Sequence, residues 1–162
     1  MKTDIGEYIV GVYLKVIEGC SFIDYNVRPP GGGLEGLNEI DVLGFDLEKR
    51  AIYLCEVTTH ILGLNYGSHT ETIQKINDKY LRLKEYAKKN LKVFTKFNYM
   101  FWSPVVSKGY LTNELEKIQG LKVIINEKYT EKIDMLRKKA KRFTQDFGNP
   151  FFRVLQILEK LK

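Results

Sequence analysis

The chain is poor in the residues that build covalent or metal frameworks. Two cysteines, Cys20 and Cys55, and two histidines, His60 and His69, stand among 162 residues. One pair of cysteines is not a disulfide framework, although a bond between the two is left open. A His-x8-His spacing matches no zinc site. No apolar run approaches the roughly 20 residues that a membrane helix needs, so membrane partners are not expected. The first residues carry Asp4 and Glu7 rather than a basic-then-apolar leader, and with the scarce cysteines this points to a cytoplasmic protein. There are no repeats and no low-complexity tract. Gly31-Gly32-Gly33 is not followed by Gly-Lys-Ser/Thr, which excludes a phosphate-binding P-loop.

Apolar substance is present: 44% of residues are hydrophobic and 12% aromatic, enough to exclude a disordered chain. The length suits one domain, residues 1–162, with a core over 1–126 and a basic helical extension over 127–162. The formal charge is +6, unevenly spread. Residues 1–70 hold 5 Lys/Arg against 10 Asp/Glu, residues 71–100 hold 8 against 3, and residues 127–162 hold 10 against 5. An acidic centre beside basic segments suits a phosphodiester substrate, because lysine and arginine hold phosphates. Solvated basic helix faces would give the same count.

Periodicity predicts a helix capped by Thr3 and stopped at Gly19, with Ile5, Ile9, Val12, Tyr13 and Val16 as its apolar stripe. A strand over Ser21–Arg28 ends at Pro29-Pro30-Gly31-Gly32-Gly33, a flexible arm. Two strands follow, Asn38–Asp46 and Ala51–Thr58, joined by a tight turn at Leu47–Arg50. A loop over Thr59–Ser68 leads to a helix from Thr70 to Asn90, whose apolar face is Ile73, Ile76, Tyr80, Leu83 and Ala87. Further expected elements are a strand over Lys92–Trp102, a short helix over Leu111–Ile118, a strand over Leu121–Asn126, and helices over Tyr129–Phe143 and Phe151–Leu161. The aromatics Phe143, Phe147, Phe151 and Phe152 form either a packing cluster or a dimer surface. This order gives an α/β domain of three layers, a mixed sheet of about five strands between helices.

The hairpin carries the chemistry. Whether its turn has two loop residues or four, the register is the same, and Asp41 falls opposite Glu56. Directly opposed side chains have Cβ atoms about 4.5–5.5 Å apart, where like charges repel. Two carboxylates so placed on an apolar hairpin call for a cation between them, and a hard divalent ion takes carboxylate oxygens.

Helix with an early Glu7, then Asp41 on the second strand, then Glu56-Val57-Thr58 ending the third, then a helix and a strand: over residues 1–105 this resembles the PD-(D/E)xK nuclease superfamily, in particular its restriction-endonuclease-like and Holliday-junction-resolvase-like branches. The resemblance implies a Mg²⁺-dependent deoxyribonuclease, with Mn²⁺ as an alternative ion. Asp41, Glu56 and the Val57 carbonyl would be metal ligands, and Glu7 would reach the ion directly or through water. Thr58 departs from the pattern, since the motif lysine belongs there. The helix after the third strand offers Lys75 and Lys79 instead. At 100° per residue, Lys79 lies about 70° and Lys75 about 110° from the centre of the apolar stripe, which makes Lys79 the first choice. Gln74 sits where several branches carry a glutamine near the site. Lys138, Lys139, Lys141 and Arg142, together with the basic helix of residues 75–92, would track a DNA backbone, and cutting both strands of a duplex would call for a homodimer. The runner-up is an inactive member of the same fold that binds nucleic acid or serves assembly, favoured by Thr58. A third reading is a small protein–protein interaction module, which leaves the opposed carboxylates unexplained.

Overall fold

The computed structural model describes residues 2–30 and 39–162. The expected glycine arm at Gly31–Gly33 and the expected strand start at Asn38 lie outside the described residues.

Helix α1 (Ile5–Tyr13) is capped by Asp4, not Thr3. Asp4 Oδ1 accepts from the Gly6 amide at 2.8 Å while Glu7 Oε2 accepts from the Asp4 amide at 3.0 Å, a reciprocal capping box. The helix runs on as a π-helical turn over Leu14–Glu18, and Gly19 stops it at φ +81°, a conformation glycine adopts without a Cβ penalty. Strands β1 (Phe22–Val27), β2 (Ile40–Asp46) and β3 (Ala51–Val57) form an antiparallel meander. The Asp46↔Ala51 pair closes the second hairpin with four loop residues. Asp46 Oδ1 accepts from the Lys49 amide at 2.9 Å and holds that turn.

Helix α2 (His69–Asn90) starts one residue before the expected Thr70, because Ser68 and Glu71 form a second capping box. Strand β4 (Lys96–Ser103), helix α3 (Tyr110–Glu116), strand β5 (Leu121–Ile125) and helices α4 (Asn126–Arg142) and α5 (Pro150–Lys160) complete the order. The sheet runs β1-β2-β3-β4-β5, and β3, β4 and β5 are parallel. Parallel neighbours need crossovers, which α2 and α3 supply.

The two sheet faces bury different sets of side chains, as strand alternation requires. Val42, Cys55, Met100 and Trp102 pack with α1, α4 and α5 on one face. Leu43, Ile52 and Leu54 meet α2 on the other, where Phe101 and Val123 pack with α2 and α3. The result is the three-layer α/β architecture, with a mixed five-stranded sheet in the middle. Residues 127–162 are not set apart from it: Tyr129, Leu136, Phe152 and Leu155 belong to the same core as α1 and the sheet. Phe152 is fully buried in that core, with Phe143, Phe147 and Phe151 packed against it. Among the described residues, no helix is long and apolar enough to cross a membrane.

Candidate active site

Strand β2 pairs with β3 in the expected register, with Val42 opposite Cys55 and Leu43 opposite Leu54. One step further along, Asp41 and Glu56 face each other. They share the parity of Leu43 and Leu54, so their side chains stand on the α2 face of the sheet. The ladder stops at that step. Instead of a backbone partner, the Val57 amide donates to Asp41 Oδ2 at 2.6 Å. The next amide, of Thr58, turns to the Trp102 carbonyl on β4, so the Val57 amide and carbonyl share the edge of β3 that faces β2.

Glu56 is 4% exposed. Its cation comes from α2: Lys79 Nζ lies 2.5 Å from Glu56 Oε2. Burial pushes the Glu56 carboxyl up to about 7, the Asp41 charge pushes the same way, and Lys79 opposes both. Asp41 is also raised, first by burial, against the pull of Lys79 and the Val57 amide. Burial works against the Lys79 ammonium, but the Glu56 and Asp41 charges outweigh it and hold the lysine above its ordinary value. One ammonium thus serves two carboxyls in a desolvated corner.

The remaining candidates divide. Thr58 is buried and donates through Oγ1 to Ser103 Oγ at 2.9 Å, so the place of the motif lysine is closed by a hydroxyl pair. Lys75 is exposed and sits over the Tyr66 ring, 4.1 Å from its centroid, not at the carboxyls. Gln74 is exposed as well and donates to Asp78 at 2.7 Å. Glu7 is buried near enough to Asp41 to feel its charge; burial raises its pKa, while the Asp4 amide and the Asn26 side chain draw it down. Its Oε2 accepts from both of those partners at 3.0 Å. Among the described residues, no three His, Cys, Asp or Glu side chains gather to hold a metal ion, so Glu7 does not join Asp41 and Glu56 as a third close ligand. The donor set is two carboxyls and one backbone oxygen. Its chemistry, carboxyl oxygens and a backbone oxygen, is the kind a hard cation takes.

Lys138, Lys139, Lys141 and Arg142 are not brought to this site. Helix α4 begins at Asn126, directly after the C-terminal end of β5, and packs on the opposite sheet face. At 1.5 Å per residue, Lys138 lies about 18 Å along it, toward the far end of the sheet. Lys139 covers the Phe143 ring, and Lys141 pairs with Glu159 at 3.5 Å.

Within the basic helix of residues 75–92 the sequence does not single out Arg82, and it gives Asn26 no role. Arg82 follows Lys79 by three residues on one face of α2, and its charge favours ionised Glu56. It borders a cleft of about 150 Å³ that reaches Glu56, with Glu39, Ile40, Leu83 and Tyr86 on the other walls. The i, i+3 spacing was a usable signal. Asn26 falls opposite Asp41 in the β1–β2 register, and its positive φ of 53° turns it to bond Glu7. That register depends on pairing across the long β1–β2 connection, and no local pattern reveals it.

Comparison with protein-family models, with curated proteins and with solved structures finds no match to this chain.

Proposed function

We propose that the protein is a Mg²⁺-dependent deoxyribonuclease of the PD-(D/E)xK kind, hydrolysing phosphodiester bonds within DNA, with its lysine moved from the strand to α2. The observation that carries this reading is the Lys79–Glu56 contact beside Asp41: the cation missing at Thr58 is supplied at the same carboxyls from the neighbouring helix. Asp41, Glu56 and the Val57 carbonyl would hold Mg²⁺, with Mn²⁺ as a substitute. When bound, the ion polarises a phosphate oxygen and makes a water more acidic. Lys79 positions the attacking water and steadies the negative charge that grows on phosphorus oxygens as the P–O bond to the leaving group breaks. Glu7, held by Asn26 and its own capping box, adds negative charge on the outer side of the site.

The test is cleavage of plasmid and oligonucleotide DNA with Mg²⁺ or Mn²⁺. Asp41→Ala is expected to abolish cleavage, Lys79→Ala to slow it by about a hundredfold or more, and Lys75→Ala to change it little. Activity that survives in Asp41→Ala sinks the proposal.

One observation favours an inactive nucleic-acid-binding module of the same fold: the sealed Thr58–Ser103 pair leaves Lys79 tied to Glu56 as a structural ion pair. A wild type that binds DNA without cutting it under any divalent ion decides for that reading.

A further inference from the structure

The turn that follows Glu56 ends in two apolar side chains with nothing over them. Leu62 is 103% exposed and Ile61 is 72% exposed. Two large aliphatics side by side at a loop tip make an apolar point that can be covered by a flat or apolar ligand. The tip is also held in place. The Gly63 amide donates to the His60 carbonyl at 3.2 Å, and the Leu64 amide to the Val105 carbonyl at 2.9 Å. Thr59 Oγ1 donates to Asp4 Oδ1 at 3.3 Å, and the Tyr66 amide to Thr72 Oγ1 at 3.0 Å. The base of the loop is therefore stitched to α1, to the segment after β4 and to α2.

Its position matters as much as its exposure. Ile61 is four residues beyond Val57, so its backbone lies within about 14 Å of Val57, the residue after Glu56. Flat rings and a cation follow directly: His60, next to Ile61, meets Tyr66 edge-on, and Lys75 covers Tyr66. A fixed aliphatic wedge beside a ring and a lysine, next to a helix that carries Lys79, Arg82 and Lys89, fits the faces of nucleobases on an anionic backbone.

We infer that Ile61 and Leu62 form a wedge that seats against unpaired or unstacked bases of DNA next to the phosphodiester held at Asp41 and Glu56, so that DNA with unpaired bases there is the preferred substrate. The inference rests on the proposed nuclease reading for the neighbouring phosphodiester, but the base contact itself does not need cleavage.

The experiment measures binding without divalent ion, by anisotropy, of three DNA probes: a single strand, a duplex with an unpaired stretch and a fully paired duplex. A 2-aminopurine in the unpaired stretch reports unstacking. The proteins are wild type, Asp41→Ala, the double variant Ile61→Ser/Leu62→Ser, and Leu62→Phe. Wild type and Asp41→Ala are expected to favour the unpaired probes over the paired duplex by tenfold or more and to raise the 2-aminopurine signal. The serine pair loses that preference while keeping its affinity for the paired duplex, and Leu62→Phe keeps the preference, because a ring also stacks on a base. Both changes are on solvent-exposed side chains, and an unchanged thermal melt confirms folding. Equal binding of paired and unpaired probes by wild type, or an unaltered preference in the serine pair, overturns the inference and leaves the tip to a protein partner. Loss of cleavage in Asp41→Ala with the preference intact separates this result from the fate of the nuclease reading.

Discussion

At Lys79 one ammonium faces two carboxyls, and that imbalance governs how the site titrates. Glu56 has its pKa raised from the ordinary 4.5 to about 7, chiefly by burial. Between those values the folded protein holds a proton that the unfolded chain has released, so this group's contribution is complete below pH 4.5 and is lost as pH rises through 7. Urea unfolding of Glu56→Gln is expected to show a flatter stability profile from pH 5 to 8 than wild type, by about 3 kcal/mol across the window. Lys79→Met removes the ammonium bonded to Glu56 and leaves only the more distant Arg82 charge, among the described residues, to offset a buried carboxylate. Its expected cost is about 3 kcal/mol at pH 8 and less at pH 5, where Glu56 carries a proton. An equal cost at both pH values would mean that Glu56 is ionised throughout. Much of this corner was legible in the sequence for physical reasons. The hairpin register does not depend on how its turn is drawn, so Asp41 opposite Glu56 followed from counting. Lys79 was separable from Lys75 because it lies nearer the apolar stripe of its helix. What stayed hidden was Asn26, whose role depends on a positive φ and a register set across the β1–β2 connection.

Elements were legible where local chemistry decides them and displaced where tertiary partners do. The sheet strand begins at Lys96 rather than Lys92 because β3 opposes it only from Ala51 onward, and the Thr95 and Lys96 amides both turn to the Arg50 carbonyl. Helix α4 starts at Asn126 rather than Tyr129 because the Asn126 side chain clasps both the amide and the carbonyl of Val106, at 2.9 and 3.0 Å, and turns the chain without a loop. Helix α5 shows how one such residue joins layers. Asn149 Oδ1 accepts from the Phe152 amide at 3.0 Å as its cap, while Nδ2 donates to the Tyr8 carbonyl of α1 at 2.8 Å. Asn149→Ala therefore loses a cap and the extra bond that ties α5 to the Tyr8 carbonyl, an expected cost of about 2 kcal/mol. Asn149→Asp keeps the acceptor and forfeits only the donor, so it should cost about half as much in the same urea titration. Equal costs would place all of the stabilisation in the bond to Tyr8.

Over the whole molecule, charge is separated by layer. The sequence shows two basic segments and treats them alike, yet the fold sends them to different places. Lys79, Arg82 and Lys89 recur along one side of α2, and the last two line the cleft that reaches Glu56. The basic end of α4 lies beyond the sheet, and two of its four members are engaged with Phe143 and Glu159. A DNA backbone that places a phosphodiester at Asp41 and Glu56 runs past α2, and it cannot reach the end of α4 without rounding the sheet. Each phosphate contact removed lowers the dependence of log affinity on log salt by about 0.9. For a paired duplex, Arg82→Ala/Lys89→Ala is expected to reduce that slope by about 2 and to weaken binding at low salt. Neutralising Lys138, Lys139 and Arg142 together should leave the slope within 0.5 of wild type, about half of one contact; Lys141 is kept because it pairs with Glu159. The opposite result, a slope that falls only with the α4 changes, would put the nucleic acid on the α1–α4–α5 layer. The carboxyl pair would then be a buried structural feature, and the inactive-module reading would be the one to pursue.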